Sequence, residues 1–334
     1  MVLRRAVFAV ALLVSRSLLA QTSNNGGPYA PLILLLPSGP RTLAVGNTGV
    51  GGRDDDVIFF NPAQLVIARG FSGSIERYST TSAGGTLSAV TRFNTGGIAI
   101  GMQMVDYEAP LAAFPPSRGT MLEPGSGRSL SGSVAGGTSL EAVVGVGQVI
   151  KGVRVGLAGK YVEDNAPALR LSRGAVDVGA SKYFFGPYTF ALAVQNIGAS
   201  TTIPCIVAST PAAGTCVVTP GFPPPPQFTS VRLPLRTTFG VQTQRPVGQL
   251  DLMATASIWM LRADWVGGSG GAELGYSWLD GYSVALRAGA RSTLPGEAAF
   301  TGGAGFTMDR LSIDYAVEAL TGSRWGQRIG LRVR

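Results

Sequence analysis

Histidine is absent from this 334-residue chain, and cysteine occurs only twice. Without histidine the chain cannot build a Ser-His-Asp triad, and general acid–base catalysis loses the side chain that it uses most often. Zinc sites made of Cys and His are excluded for the same reason. No phosphate-binding P-loop, complete dinucleotide-binding glycine motif or nucleophile elbow occurs. The sequence therefore predicts a protein that is not an enzyme and that uses no cofactor or metal.

Long apolar runs are also lacking, and none reaches the roughly 20 residues that a membrane-spanning helix needs. The run Ala6–Val14 follows Arg4 and Arg5 and precedes the small residues of Ser17–Ala20. This order is typical of a secretory signal. We predict a cleaved signal peptide over residues 1–20, with an ordinary buried or membrane helix as the alternative.

Glu and Lys are scarce, whereas Gly, Val, Leu, Ala, Ser and Thr are abundant. This composition disfavours a helical bundle, and no linker divides the chain, so we expect one large β domain. The formal net charge is +8. Such an excess bears on partners and not on fold. Nucleic-acid binding is not predicted, because no clustered basic patch with stacking aromatic residues is present.

About fourteen segments after residue 70 alternate apolar with small or charged residues, as strands with one apolar face do. Most have the roughly 9–11 residues that a tilted strand needs to cross a bilayer. They lie near Phe71–Tyr78, Thr86–Phe93, Gly97–Val105, Leu140–Ile150, Val153–Val162, Ala175–Phe184, Tyr188–Asn196, Leu235–Thr243, Leu250–Met260, Ala272–Trp278, Tyr282–Arg291, Phe300–Met308, Leu311–Leu320 and Trp325–Val333.

The connections between these segments are alternately short, as at Lys151-Gly152, and long, as at Asp106–Ser139 and Ile197–Pro234. Short turns at one rim and long loops at the other are typical of outer-membrane barrels. We therefore predict an all-β fold, a transmembrane antiparallel β-barrel of about fourteen strands over residues 69–334. A soluble β-sandwich is the alternative. Aromatic residues near strand ends suit an interfacial girdle: Tyr183, Phe184, Phe185, Tyr188, Trp278, Tyr282 and Trp325.

The polar phase of the alternation carries charges that we place in the barrel lumen, since a Lys or Arg at the lipid midplane costs about 2–4 kcal/mol. We expect the basic members to pair with Asp177, Asp314 and Glu318 in an interior network. The predicted lumen-facing charges are Arg154, Lys160, Arg236, Arg287, Arg291, Asp314, Glu318, Arg328 and Arg332.

Residues 21–68 separate the predicted signal from the first strand and have a different character. From Pro31 they run through a Leu-rich stretch, Pro-Ser-Gly-Pro-Arg, a glycine-rich loop, three aspartates and Asn-Pro-Ala. The glycines of Gly46–Gly52 are expected to take positive φ and to pack against the barrel wall. The Asn61 amide is expected to satisfy backbone groups in a turn. We favour pairing of the aspartates with lumen arginines over a cation site, since three consecutive aspartates do not converge on one point.

This order of features resembles the N-terminal segment of the PorV/PorQ group of outer-membrane proteins, which are relatives of the FadL-type fatty-acid transporters. Gln64 departs from the pattern, because the family usually has Gly there. The resemblance implies a hatch, or plug, within the barrel. Its motif residues here are Arg41, Gly46, Gly49, Asp54, Asp55, Asp56, Asn61, Pro62 and Ala63.

Three functions are compatible with the sequence. The resemblance first implies an outer-membrane component of protein secretion or surface assembly, of type IX kind, with outer-membrane lipid and secreted proteins as partners. The alternative is an uptake channel for long-chain fatty acids or other hydrophobic compounds. We rank it lower because the inward faces look small and charged, whereas such a channel needs an apolar pocket. A secreted soluble β protein is the third possibility.

The two cysteines, Cys205 and Cys216, lie in one Pro- and Thr-rich segment of a long loop. In an exported chain we predict that they form a disulfide within this loop. A pair of free buried thiols is the alternative.

Overall fold

The computed structural model describes residues 31–78, 82–107, 137–166, 169–184, 186–204, 228–262, 265–292, 298–320 and 324–334. The predicted signal peptide and the predicted disulfide between Cys205 and Cys216 lie outside these ranges, as does Phe185. No helix within them is long and apolar enough to cross a membrane.

Fourteen antiparallel strands close into a barrel, in which β1 pairs with both β2 and β16. The predicted fold class is therefore confirmed. The strands are β1 Gly70–Arg77, β2 Ala83–Phe93, β3 Gly96–Tyr107, β4 Gly137–Ile150, β5 Val153–Ala166, β6 Leu169–Phe184, β7 Tyr188–Ile197, β8 Thr201–Pro204, β9 Phe228–Val231, β10 Arg236–Val247, β11 Leu250–Leu261, β12 Trp265–Leu279, β13 Tyr282–Ser292, β14 Ala298–Met308, β15 Leu311–Leu320 and β16 Arg324–Val333. Strands β8 and β9 follow β7 and precede β10 in the chain, and within the described residues they pair with each other and with no further strand.

The two rims of the barrel differ. At the rim that we call the turn rim, two-residue turns such as Lys151-Gly152 and Asp309-Arg310 join the strands, and Lys151, Gly152 and Asp309 have positive φ. Pairing of Phe71 with Val333 brings the start of β1 and the end of β16 to this same rim. The longer connections lie at the opposite rim, which we call the loop rim.

The outer face of the barrel is apolar. Ile75, Leu286 and Phe300 are each more than 60% exposed although they lie within strands. On the same face at the turn rim, Trp278 stacks on Tyr276 and Phe306, with ring centroids 6.4 and 6.2 Å apart. The other phase of the strands is buried and carries the polar and charged side chains of the interior together with apolar ones such as Val105 and Val143. An exposed apolar band edged by aromatic rings is the surface that hydrocarbon and its interfaces select.

The N-terminal segment, residues 31–68, lies within the barrel. It consists of the short helix α1 (Pro40–Ala44) and four 3₁₀ turns at Leu32–Leu35, Gly49–Gly51, Asp55–Phe59 and Pro62–Val66. These elements contact β1–β7, β10 and β13–β16, and Val45 lies against β12. Leu34 packs with Val105 and Tyr107 near the loop rim, and the segment ends at the turn rim, where β1 begins.

Local chemistry explains why this segment bends where it does. Pro40 and Pro62 each begin a helical turn, where proline costs no hydrogen bond. The Asn61 side chain accepts a hydrogen bond from the Ala63 N–H at 3.0 Å and donates one to the Val50 carbonyl at 2.9 Å. Positive φ occurs at Gly46 (77°) but not at Gly49, Gly51 or Gly52, so that expectation is wrong for the latter three.

Candidate functional site: the barrel interior

Four glycines form a flat seat for the N-terminal segment. Gly97, Gly147, Gly156 and Gly179 lie directly opposite one another on β3–β6, in one row across the wall. A Cβ atom on Gly156 would lie 2.2 Å from the Pro62 carbonyl carbon, and one on Gly179 would lie 1.9 Å from Asn61 Oδ1. Real Cβ atoms do not approach so closely, so only glycine lets the turn at Pro62–Val66 rest on the strands. We call this row the glycine seat.

A second close approach lies across the lumen, after α1. A Cβ atom on Gly289 would lie 2.3 Å from the Gly46 nitrogen, and one on Gly271 would lie 2.6 Å from the Val45 carbonyl oxygen. Gly271 and Gly289 are directly opposite each other on β12 and β13. Both walls of the lumen therefore hold the segment through backbone contact, which depends on the absence of side chains.

A closed ring of six alternating charges links the segment to β12–β16. Arg41 donates two hydrogen bonds to Glu273, at 2.8 and 2.6 Å, and one to Asp54 at 2.9 Å. Asp54 also pairs with Arg332, and Arg332 donates to Asp314 at 2.6 Å. Arg287 completes the circuit by contacting both Asp314 and Glu273. Three arginines thus balance three carboxylates, and we call this set the ionic ring.

Within the segment, Asp54 is the aspartate that the ring uses. Burial alone would raise the pKa of Asp54, but the guanidinium groups of Arg332, Arg41 and Arg334 outweigh it and hold that pKa below its usual value. Asp54 is therefore ionised at any physiological pH. Its charge fixes the segment electrostatically at the point where the chain passes from the glycine-rich loop to the next turn.

Asp55 and Asp56 form no ion pair with an arginine among the described residues, so the prediction that all three aspartates do so is wrong for these two. Asp55 accepts hydrogen bonds from the hydroxyls of Ser72 and Ser88, and Asp56 accepts one from Thr42 at 2.8 Å. The reason is geometric. A 3₁₀ turn has about three residues per turn, so neighbouring side chains point roughly 120° apart.

Asp56 makes the stability of the segment depend on pH. Burial and the neighbouring charges of Asp54 and Asp55 raise the pKa of Asp56 from 3.8 to about 7. The folded state therefore binds this proton more tightly than the unfolded chain does. Its contribution to the free energy of unfolding is complete below about pH 4 and is lost as the pH rises towards 7.

We expect Asp56→Asn to flatten this dependence, because asparagine keeps the Thr42 hydrogen bond and cannot ionise. Urea unfolding midpoints of detergent-solubilised protein, measured from about pH 4 to about pH 8, would show the difference. Asp251→Asn, which alters an exposed aspartate of β11, is the matched control. Equal slopes for the wild type and Asp56→Asn would contradict the assignment.

The other lumen charges form compact groups. Lys160 contacts Glu141 and Asp177, both at 2.9 Å, and donates to Asn196 Oδ1 at 3.2 Å. Arg291 donates to Glu318 at 2.6 Å. Arg328 pairs with Glu76 and donates to the Pro37 carbonyl at 2.7 Å.

Sequence reasoning missed three of the acidic partners, Glu76, Glu141 and Glu273. The sequence did indicate an inward position for two of them. Glu76 follows the exposed apolar residue Ile75, and Glu273 precedes the exposed apolar residue Leu274. A charge beside an outward apolar residue belongs on the inward phase.

Two of the arginines predicted to face the lumen have aromatic rings as neighbours and no carboxylate within ion-pair distance in the described part of the chain. The Arg154 guanidinium lies 4.4 Å from the centroid of the Tyr183 ring, and Arg236 lies 5.2 Å from that of Trp259. Tyr183 also contacts Arg53 of the N-terminal segment. Tyr183 therefore faces the lumen mouth, and its predicted place in the outer aromatic girdle is wrong.

Two clusters of buried apolar side chains lie in the lumen towards the loop rim. One cluster joins the Leu-rich stretch to the wall, and consists of Ile33, Leu34, Val105, Tyr107, Val162, Ala175 and Leu233. A second joins Leu35 to Trp259, Leu261 and Trp265. The expectation of small and charged inward faces is therefore incomplete for this half. Apolar side chains lie there beside charged ones, such as Arg328, which donates to Tyr78 next to the first cluster, and Arg236, which lies over Trp259 of the second.

No family model matches this sequence, and no curated protein matches it. Among solved structures, the chain is similar to the toluene transporter TbuX of Ralstonia pickettii (TM-score 0.55, 13% identity, 93% of this chain and 99% of that one). It is also similar to the toluene transporter TodX of Pseudomonas putida (TM-score 0.54, 10% identity, 89% of this chain and 97% of that one). A third similar structure is that of a FadL homologue of Pseudomonas aeruginosa, with a TM-score of 0.54 and 10% identity over 92% of this chain and 98% of that one. At these identities the likeness shows the fold: this chain forms the 14-stranded barrel of FadL-type outer-membrane transporters.

Proposed function

We propose that this protein is an outer-membrane channel through which hydrophobic compounds enter the cell. The proposal rests on the two apolar clusters in the half of the lumen nearest the loop rim. Two clusters of buried apolar side chains lie near the loop rim, and the Leu-rich stretch of the N-terminal segment contributes to both. A site for a hydrophobic molecule needs such a lining in a concave and enclosed space.

The surface of the barrel supports the membrane location. Its outward strand positions are largely apolar, with aromatic rings clustered at the turn rim, and exposed charges such as Arg170 and Arg245 lie near the strand ends. In outer-membrane barrels the short turns face the periplasm and the long loops face outwards. The two apolar clusters then lie at the outer side of the membrane, where compounds arrive from outside.

The N-terminal segment acts as the hatch in this proposal. It touches most strands of the barrel from within, and the glycine seat and the ionic ring hold it on opposite walls. Such a segment prevents free diffusion of water-soluble molecules through the lumen. Hydrophobic compounds bind the apolar lining instead, and pass from there towards the periplasm.

The interior favours hydrophobic acids over neutral hydrocarbons. Arg236 lies beside the second apolar cluster, and its Nε atom is buried without a hydrogen-bond partner among the described residues. A buried donor left in this state costs free energy, which a carboxylate can recover. Two of the similar structures are toluene transporters and a third is a FadL homologue, so both classes of compound require testing.

A role in type IX protein secretion stays a prediction from the resemblance to PorV-type proteins. The similar solved structures are transporters of small molecules, which favours uptake over secretion. Protein partners would have to bind the long connections at the loop rim, and most of these lie outside the described residues.

Uptake tests the proposal directly. In a Gram-negative host without its own long-chain fatty-acid transporter, we expect the protein to accelerate accumulation of labelled oleate severalfold over empty vector. Arg236→Gln should lower oleate uptake and leave toluene uptake unchanged, because only oleate carries a charge. Arg245→Gln, an exposed arginine on β10, is the matched control. The proposal fails if the barrel reaches the outer membrane and neither compound accumulates faster than with the vector.

A further inference from the structure

A cavity of about 290 Å³ opens between the N-terminal segment and β10–β11 at the turn rim. Arg41, Arg53, Arg69 and Arg334 line it, with Asp54 as the one acidic side chain of the lining. The cavity lies at the opposite rim from the two apolar clusters on which the proposed uptake rests. It therefore has a different chemistry from the part of the lumen that carries the proposed uptake.

The positive charge of this cavity is only partly neutralised. Arg41 and Arg334 both contact Asp54, and Arg41 is also held by Glu273. Arg53 and Arg69 have no carboxylate within ion-pair distance among the described residues. Arg53 makes only long contacts, at 3.4 Å, to Gln244 Oε1 and Tyr183 Oη. Both residues are exposed to solvent and line the cavity, and their guanidinium groups bring donors that suit a carboxylate.

A third unbalanced cation borders the same region. Arg154 is 4% exposed, and all three of its guanidinium nitrogens are buried without hydrogen-bond partners among the described residues. It stacks on Tyr183, the residue whose hydroxyl contacts Arg53. This concentration of positive charge at one mouth attracts anions, and low-dielectric walls strengthen the attraction.

The remaining lining indicates what kind of anion fits. Val45, Ile67 and Met253 supply an apolar surface, and Thr48 and Gln242 supply neutral polar groups. Inorganic phosphate would leave the apolar surface without a partner. An acid with a small apolar body would cover it and place its carboxylate among the arginines.

We propose that this cavity is a binding site for a small organic carboxylate at the periplasmic mouth of the barrel. The ligand binds with its carboxylate towards Arg53 and Arg69 and its apolar part towards Ile67 and Met253. Only the orientation towards the periplasm rests on the proposed function. Binding itself is a property of the purified protein and is tested without transport.

The test compares benzoate with benzamide, which has the same shape and no charge. Isothermal titration calorimetry of the detergent-solubilised full chain should show saturable benzoate binding, with benzamide about tenfold weaker or undetectable, a difference of about 1.4 kcal/mol. The double variant Arg53→Gln/Arg69→Gln should bind benzoate at least tenfold more weakly than the wild type, so that it no longer prefers benzoate to benzamide. Benzoate binding should also weaken with added salt.

One control variant separates this cavity from other arginines. Arg245→Gln removes an exposed arginine of β10 and should retain benzoate binding. Equal binding of benzoate and benzamide overturns the proposal, as does unchanged binding by the double variant. Phosphate that displaces benzoate at equal concentration overturns the ligand class. Oleate uptake is measured separately, so a failure here leaves the proposed function standing, and the reverse holds too.

Discussion

Replacing Gly156 by leucine should open the lumen while leaving the barrel assembled. Gly156 lies in the glycine seat, where even a Cβ atom would come within 2.4 Å of three backbone atoms of Pro62 and Ala63. Backbone cannot rotate out of the way as a side chain can. Overpacking of this kind typically costs about 1–3 kcal/mol when neighbours shift. The lowest-energy response is for the turn at Pro62–Val66 to leave the seat, since the strands are held by their own hydrogen bonds.

Conductance through planar lipid bilayers measures the effect. We expect the wild type to conduct ions poorly and Gly156→Leu to conduct severalfold better, because the displaced segment no longer fills the lumen. Cells producing the variant should also become sensitive to large hydrophilic antibiotics that the intact outer membrane excludes. Limited proteolysis should cut the N-terminal segment of the variant faster than that of the wild type.

Gly159→Leu is the matched control for this experiment. Gly159 lies on the same strand, three residues away, and a Cβ atom there meets no atom within 4 Å. It faces outwards, where leucine contacts hydrocarbon and is well tolerated. If Gly156→Leu migrates as a heat-modifiable barrel and yet conducts no more than Gly159→Leu, then the segment does not close the lumen. That result would contradict the proposal that the N-terminal segment is a hatch.

The barrel could be predicted from the sequence because two local rules coincide in it. Each strand alternates faces, so Ser312, Asp314 and Glu318 are buried whereas Ile313 and Tyr315 are exposed. Tight turns such as Lys151-Gly152 and Asp309-Arg310 end these strands at one rim. Strand positions and inward charges follow from short stretches of chain. The hairpin β8–β9 was missed because four residues are too few to show a period.

Partner choice inside the barrel could not be predicted, because it depends on curvature and on the path of the N-terminal segment. Arg41 meets Glu273, a residue 232 positions away, and nothing local to either one indicates the contact. The same holds for the glycine seat. Each of its glycines looks like an ordinary strand residue, and only the register of β3–β6 brings them into one row.

Replacing Lys160 by methionine should destabilise the barrel strongly. The Lys160 ammonium has three protons to donate, and it has three acceptors, on Glu141, Asp177 and Asn196. Its side chain and those of Glu141 and Asp177 are all 3% exposed or less. Removing one partner of a buried ion pair typically costs about 3–5 kcal/mol, since the other charge stays buried without compensation. Here two carboxylates, on β4 and β6 at either side of the Lys160 strand, would be left buried without their cation.

Urea unfolding of the refolded barrel, followed by tryptophan fluorescence in phospholipid vesicles, gives the free energy of unfolding. The triple variant Lys160→Met/Glu141→Gln/Asp177→Asn should recover most of the loss, because it removes the stranded charges and keeps similar shapes. Arg170→Met is a suitable control. Arg170 pairs with Glu163 at 2.8 Å, but its side chain is 71% exposed. An exposed pair of this kind contributes about 1 kcal/mol or less.

The comparison of single and triple variants decides what the buried lysine does. If Lys160 stabilised the barrel only through packing of its methylene groups, methionine would supply the same packing. The single variant would then be as stable as the wild type. If the loss comes from uncompensated charge, only the triple variant regains stability. A Lys160→Met barrel as stable as Arg170→Met at neutral pH would show that water reaches this group. The lumen beside β4–β7 would then be open where the structure places it closed.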